Sequence, residues 1–201
     1  MSDQDNLPDR LRAGEDAAFT ELVRRHAPAL VGVAMGFVGS RAVAEEVVQE
    51  TWLAVIEGLD RFEGRSSLAT WIYAILANKA RTRAVREKRM VPLDIPDGPE
   101  ASGIDANRFG PDGRWRQPPA LIDDITPERQ VAGRQLADIV RDEIERLPPR
   151  QRAVVLMRDV EQIPGPEAAE ILGISERNLR VLLHRGRLRL RQAIEEATGP
   201  R

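Results

Sequence analysis

Cysteine is absent from this 201-residue sequence, and aromatic residues make up only 4% of it. Without cysteine, the sequence excludes a disulfide framework and a thiolate metal site. No apolar run approaches the ~20 residues that a transmembrane helix needs, and the polar, acidic start MSDQDNLPDR is unlike a secretory signal. The sequence therefore predicts a soluble, cytoplasmic protein that makes no membrane contact of its own.

Residues suited to catalysis are also scarce. The two histidines, His26 and His184, fall in different parts of the chain, and no glycine-rich phosphate loop or metal-ligand spacing occurs. The segment AEEVVQE, residues 44–50, offers neighbouring carboxylates, but such a helix face is far more often solvated or turned toward a partner. We therefore expect no catalytic residue, no metal site and no cofactor.

The residues that dominate the sequence favour helix, since Ala, Leu, Arg and Glu are abundant and β-branched runs are rare. Apolar residues recur at helical spacing over 16–38, 41–59 and 68–89, and no strand pattern appears. Pro28 lies inside the first of these segments, where it either kinks one helix or begins a second. Ser66 or Ser67 is expected to cap the third.

A proline-rich segment divides the chain. Residues 91–125 contain six prolines and no periodicity, which is typical of a linker. About 35 unstructured residues are improbable inside one compact domain. The sequence therefore predicts an all-α protein with two small helical domains, residues 1–90 and 128–201, joined by a flexible linker at 91–127.

Charge is distributed unevenly behind the formal net charge of −2. Residues 65–90 carry a net +6 and residues 146–201 a net +4, whereas residues 1–64 and 91–145 each carry a net −6. Two basic segments separated by acidic ones suggest two contacts with a polyanion, although charge runs also occur on solvated helix faces. Charge alone leaves both interpretations open.

The segment GISERNLRVLLHRGRLRLR, residues 173–191, favours DNA. A short helix, a turn at Gly173, a cap at Ser175 and a longer helix make the helix-turn-helix pattern. The leucines of the longer helix share one face, which would pack on the shorter helix. The opposite face carries Arg177, Asn178, Arg180, Val181, His184 and Arg185. Because a helix fits the major groove and arginine binds phosphate and guanine, we predict that this face binds duplex DNA.

The other basic segment has aromatic residues among its cations. Over 66–89 the face away from the predicted core shows Trp71, Asn78, Arg81 and Thr82. Rings beside cations suit unpaired bases, on which stacking contributes about 1–3 kcal/mol per base. Tyr73 is better explained as a core residue. The position of Trp71 in the helical period is compatible both with a core residue and with one that stacks on a base.

Two long segments together resemble a known family. VAEEVVQETWLAVIEGLDRFEGRSSLATWIYAILANKAR, residues 43–81, resembles region two of the bacterial extracytoplasmic-function (ECF) sigma factors. LPPRQRAVVLMRDVEQIPGPEAAEILGISERNLRVLLHRGRLRLR, residues 147–191, resembles their region four. The segment IPGPEAAEI departs from the sequence that is usual in the family at this place. The first helix of the helix-turn-helix is therefore expected to begin late, at Pro166. The resemblance implies an RNA polymerase sigma factor that directs promoter recognition, −10 melting and transcription initiation.

The resemblance also implies partners and site residues. Core RNA polymerase would be bound by Glu45, Glu46, Val48, Gln49, Glu50 and Trp52. The opened −10 element would be bound by Phe62, Arg65, Ser66, Ser67, Trp71, Asn78, Arg81 and Thr82. The double-stranded −35 element would be contacted by Arg177, Asn178, Arg180, Val181, His184 and Arg185. An anti-sigma factor is raised as a further partner.

A stand-alone helix-turn-helix transcriptional regulator is the alternative. Such a protein binds a duplex by itself, usually as a dimer across two half-sites. It would explain residues 128–197 and leave residues 41–89 without a role. A sigma factor, in contrast, is expected to bind promoter DNA well only together with core polymerase.

Overall fold

Helices make up all the regular structure of the described residues. The structure is a computed structural model that describes residues 7–87 and 127–198, with the side chains of the second range described from residue 136. Helices α1 to α8 span Leu7–Arg12, Asp16–Val38, Arg41–Gly58, Leu68–Arg86, Pro127–Arg146, Pro149–Val155, Gly165–Leu172 and Glu176–Thr198. A 3-10 turn, Leu59–Arg61, follows α3, and a π-helical turn, Leu156–Val160, continues α6. The all-α prediction is confirmed.

Local sequence signals set several helix boundaries in the N-terminal half, α1 to α4. Helix α2 runs continuously through Pro28, so the proline does not begin a second helix. Gly39 ends α2 in the left-handed conformation, with φ 67°, and donates its N–H to the carbonyl of Met35. Ser67 caps α4, because its Oγ accepts a hydrogen bond from the backbone N–H of Thr70 at 3.0 Å. Ser40 precedes α3 but makes no such bond.

The core of the N-terminal half forms where α2, α3 and α4 pack against one another. Its fully buried side chains include Leu30, Val47, Val55, Ile72 and Leu76. Tyr73 is also fully buried, which confirms its prediction as a core residue.

Within residues 7–87 and 127–198 no single helix is long and apolar enough to cross a membrane. Helix α2 and the segment Arg41–Arg61 reach the required length and apolar character only when taken together, and they are bent by 120° relative to each other.

The C-terminal half, α5 to α8, contains the predicted helix-turn-helix. Helix α7 begins at Gly165, one residue before the predicted start, and ends at Gly173 in the left-handed conformation. Ser175 Oγ accepts from the backbone N–H of Asn178 at 3.1 Å and so caps α8. The predicted leucine face of α8 is buried against α6 and α7, as shown by Leu179, Leu182 and Leu183.

The two halves pack directly against each other. Helix α2 contacts α6 and the π-helical turn, and α4 contacts α7. Buried apolar side chains from both halves consequently form one continuous cluster. The domain boundaries themselves stay a prediction, because residues 91–126 of the proposed linker lie outside the described residues, and its last residue, Pro127, is the first residue of α5.

Candidate nucleic-acid interface

Helix α8 presents a basic face on the outside of the C-terminal half. Arg177, Arg180 and Val181 are exposed, and Asn178, His184 and Arg185 are half-buried at its edges. Beneath them the leucine face fixes the helix in place. Farther along α8, Arg187 pairs with Asp159 at 2.6 Å. The structure thus brings all six residues predicted to contact a −35 element onto one accessible surface.

A glycine allows α8 to lie close to α6. A Cβ on Gly186 would stand 2.6 Å from Val155 Cγ2, which is too short for a real contact. Glycine in a helix interior costs up to about 1 kcal/mol relative to alanine. The close approach of the two helices explains why this helix contains a glycine.

Helix α3 carries a second accessible surface, which we call the α3 face. It contains the predicted Glu45, Glu46, Gln49 and Glu50, all exposed, beside the half-buried Trp52. Val48 is buried, with 5% exposure, so the structure places it in the core and not on this surface. Leu53 and Ile56, which the sequence reasoning missed, are 62% and 54% exposed on the same helix. The α3 face therefore combines acidic groups with apolar ones.

One arginine of α4 holds part of this acidic surface. Arg83 Nε donates to Glu87 Oε1 at 2.6 Å, its Nη2 pairs with Glu46, and its Nη1 lies 3.6 Å from Glu50 Oε1. The hydrogen bond with Glu87 is the main cause that raises the pKa of Arg83. Arg83 thereby links the α3 face to α4.

The residues predicted to bind an opened strand are divided between a loop and α4. Arg65 and Ser67 are exposed on the loop, whereas Asn78 and Thr82 are exposed on α4. Asn78 Oδ1 accepts from Arg81 Nη1 at 3.0 Å. Phe62 is buried and Ser66 half-buried in the loop.

Trp71 does not stand free among the cations. Its ring centroid lies 5.1 Å from that of Phe62, and its ring edge lies against Gly58, where a Cβ would be only 3.2 Å away. The indole is half-buried between these groups. Trp71 therefore anchors the loop to the end of α3, and any contact of its own with a base stays a prediction.

A buried polar cluster joins the halves at a place that sequence reasoning missed. Glu161, just after the π-helical turn, lies with Oε2 2.6 Å from Nδ1 of His26 on α2. Their side chains are 5% and 10% exposed. The pKa of Tyr73 is raised well above its ordinary value of 10.0. Burial of the phenol is the largest cause, and the negative charge of Glu161 is the second. His26 and Tyr73 lie 135 and 88 positions before Glu161 in the sequence. A contact between residues so far apart produces no local sequence pattern from which it could be predicted.

Replacing Tyr73 with phenylalanine is expected to change how stability depends on pH in alkaline solution. The folded protein keeps a phenolic proton that the unfolded chain loses above pH 10, so the wild type loses stability as pH rises beyond 10. That loss amounts to up to about 1.4 kcal/mol per pH unit. Tyr73→Phe removes it, so the variant should gain on the wild type above pH 10. Urea unfolding at pH 8 and 11 measures the difference, and an equal decline in both proteins would contradict the prediction.

The parts of the chain that the structure describes contain no cluster of side chains suited to binding a metal ion. No group of three or more His, Asp or Glu side chains there could hold an ion. The acidic residues of α3 are instead exposed or paired with Arg83. Their arrangement suits contact with a partner surface.

Comparisons with known proteins match both halves. The family described as Sigma-70 region 2 matches residues 22–90, and Sigma-70, region 4 matches residues 137–190. ECF RNA polymerase sigma factor SigW of Bacillus subtilis (strain 168) is 25% identical over 93% of this chain and 94% of its own. ECF RNA polymerase sigma factor SigG of Mycobacterium tuberculosis (strain CDC 1551 / Oshkosh) is 34% identical over 89% of this chain, which spans 48% of that relative. The solved complex of sigma factor RpoE with anti-sigma factor NepR from Bartonella quintana aligns with 88% of this chain and 96% of its own, at 19% identity and a TM-score of 0.45.

Proposed function

The chain belongs to the ECF sigma factors, and from that premise we propose that it directs core RNA polymerase to promoters by three separate surfaces. The α3 face binds core polymerase. The loop 62–67 and α4 bind the opened −10 strand, and the basic face of α8 contacts the −35 duplex. Each surface lies in the part of the chain that matches the corresponding sigma-70 region.

The α3 face has the composition of a protein-binding surface. Its acidic rim can attract a basic partner and set the orientation of docking. Leu53 and Ile56 supply apolar area at its centre, and the burial of apolar area is the dominant favourable contribution to most protein–protein association. We therefore include both residues in the polymerase contact, next to Gln49, Glu50 and Trp52.

The two DNA surfaces differ in the state of DNA that they suit. The α8 face is a straight basic helix side that fits the major groove of a duplex. The loop 62–67 and the exposed Asn78 and Thr82 form a less regular surface of small polar groups beside cations, which suits single-stranded bases. Arg180 and Arg185 are proposed to contact base edges or phosphates of the −35 element.

The observation that carries this proposal is the presence of two independent exposed surfaces, acidic and apolar on α3 and basic on α8. A stand-alone helix-turn-helix regulator would need only the second. We further propose that the chain has no catalytic activity of its own, acts in the cytoplasm, and is controlled by an anti-sigma factor. Co-purification from cells under several stress conditions, with no bound partner found in any of them, would contradict that control.

Run-off transcription with purified core polymerase on genomic fragments tests the function. Transcripts with defined starts are expected only when the chain is added. A chain that binds promoter duplex tightly without polymerase, and starts no transcript with it, would support the regulator instead.

Replacing Gln49 and Glu50 together with alanine is expected to weaken binding to core polymerase, because it removes two exposed polar groups from the α3 face. Glu21→Ala removes an exposed acid from α2 and serves as the control. Pull-down of polymerase measures the effect, and duplex binding by α8 should not change. Equal pull-down by the double variant and the control would show that the docking surface lies elsewhere.

A further inference from the structure

A cleft between α3 and α4 joins two of the proposed surfaces. Its lining residues are Glu50, Asn78, Lys79, Thr82, Arg83 and Arg86. Glu50 belongs to the α3 face, whereas Asn78 and Thr82 are exposed members of the proposed −10 surface. The contacts proposed for polymerase and for an opened strand therefore meet in this cleft.

Arg83 is held on the α3 side of the cleft by carboxylates. It pairs with Glu46, and its Nη1 lies 3.6 Å from Glu50 Oε1, so both of these partners come from the α3 face. Its third carboxylate, Glu87, comes from the next turn of its own helix. Two of the three groups that neutralise Arg83 are thus groups that we assign to polymerase binding.

The position of Arg83 in the sequence also places it beside the strand-binding residues. It directly follows Thr82 in α4, and its side chain is 26% exposed. A guanidinium binds phosphate with the same forked, charge-assisted hydrogen bonds that it makes to a carboxylate. The glutamates of the α3 face and a phosphate of a DNA strand would therefore compete for this one side chain.

The charge of the cleft depends on whether a partner takes those glutamates. Three cations line the cleft, namely Lys79, Arg83 and Arg86. The three carboxylates around Arg83 offset their charge in the free chain. A basic partner that pairs with Glu46 and Glu50 removes two of those carboxylates from Arg83. The cleft then carries a net positive charge beside Asn78 and Thr82, which favours a phosphate group.

We propose that Arg83 is a further strand-binding residue, which Glu46 and Glu50 occupy until core polymerase binds those two glutamates. The inference rests on the proposed function, because it uses the assignment of the α3 face to polymerase and of α4 to the opened strand. When polymerase docks, its cations pair with the glutamates, and Arg83 turns to a phosphate of the strand. Such coupling is reciprocal, so Arg83 also opposes polymerase docking in the free chain.

Replacing Arg83 with glutamine is therefore expected to strengthen binding to core polymerase, because both glutamates are released in advance. We expect a gain of about two- to tenfold, which corresponds to the loss of two exposed ion pairs. Arg86→Gln is the matched control, since it removes the same charge from the same cleft while Glu46 and Glu50 keep their pairs with Arg83. Fluorescence anisotropy of the labelled full-length chain, titrated with core polymerase, measures both affinities.

The direction of this change separates the proposal from a purely structural role. If Arg83 only braced α3 against α4, its loss would leave docking unchanged or weaken it. An affinity of Arg83→Gln that is equal to or below that of Arg86→Gln would overturn the inference. If the wild-type chain itself does not bind core polymerase, the proposed function fails instead, so the two failures are distinguishable.

A second measurement uses the free full-length chain and a single-stranded oligothymidylate. Glu46→Gln with Glu50→Gln imitates the transfer of both carboxylates to polymerase, so it should strengthen binding to the strand. The slope of log affinity against log salt should steepen by about 0.7, the value for one phosphate contact on a single strand. Glu21→Gln with Glu57→Gln is the matched control, since it removes two exposed carboxylates that are not partners of Arg83.

Adding Arg83→Gln to the Glu46 and Glu50 variant should abolish the steeper slope. A slope that steepens equally in the control would show that overall charge governs strand binding. A slope that stays steep without Arg83 would show that another cation contacts the phosphate. Either result would overturn the assignment of Arg83 to the strand.

Discussion

Transcription from a promoter that depends on its −35 element is expected to fall at least about thirtyfold when Arg180 and Arg185 are both replaced by alanine. Each contact with a base edge contributes about 1–3 kcal/mol, and the two together about 2–6 kcal/mol if they add. Neither side chain supports the core of the C-terminal half, which rests on the leucines of the opposite helix face. The folded structure and core binding should therefore survive.

Arg24→Ala with Arg25→Ala is the matched control for this pair. It removes the same two charges from exposed positions on α2, far from the proposed DNA surface in the sequence. A similar loss in both double variants would mean that overall charge, and not the α8 face, determines promoter affinity. Salt titration separates the two kinds of contact, since each lost phosphate contact lowers the slope of log affinity against log salt by about 1.

Replacing Leu53 and Ile56 together with alanine is expected to weaken binding to core polymerase by at least about tenfold. Fully burying an aliphatic side chain of this size contributes about 1.5–3 kcal/mol, and both are more than half exposed in the chain alone. Because they pack against little in the folded protein, thermal stability should change by less than about 0.5 kcal/mol.

Val23→Ala is the control, since Val23 is an exposed apolar residue of α2. Binding to core polymerase can be measured by fluorescence anisotropy of the labelled chain. Unchanged affinity in the Leu53 and Ile56 variant would restrict the polymerase contact to the acidic rim of the α3 face. A loss equal to that of the control would show that exposed apolar area acts nonspecifically.

Features governed by neighbouring residues could be predicted from the sequence. The leucine face of α8, the cap at Ser175 and the turn at Gly173 depend on contacts within a few positions, and the structure confirms them. The acidic part of the α3 face follows from the same helical period. Pro28 shows the limit of such reasoning, because local rules allow two outcomes there and the structure has one of them, a helix that continues through the proline.

Features that join distant segments could not be predicted in this way. The pairing of His26 with Glu161 depends on how two halves of the chain meet, and neither residue has a distinctive neighbourhood. The sequence does not decide whether Trp71 lies in the core or binds a base, because its ring partner Phe62 lies across a loop. Gly32 and Gly36 of α2 leave room for α6 and the π-helical turn. Their spacing within an apolar helix was a usable signal for close helix approach, although it does not identify which helix approaches.

The π-helical turn between α6 and Glu161 has a mechanical meaning. Its wide hydrogen bond, from the N–H of Glu161 to the carbonyl of Leu156 at 2.9 Å, accommodates one more residue than an α-helical turn. Each residue in a helix advances the chain by about 100° around the axis. Deleting one residue from Leu156–Val160 would convert the π-helical turn into a regular α-helical one. It would also rotate the Glu161 carboxylate by that angle about the helix axis, away from the imidazole of His26. The extra residue of the π-helical turn therefore orients Glu161 toward His26.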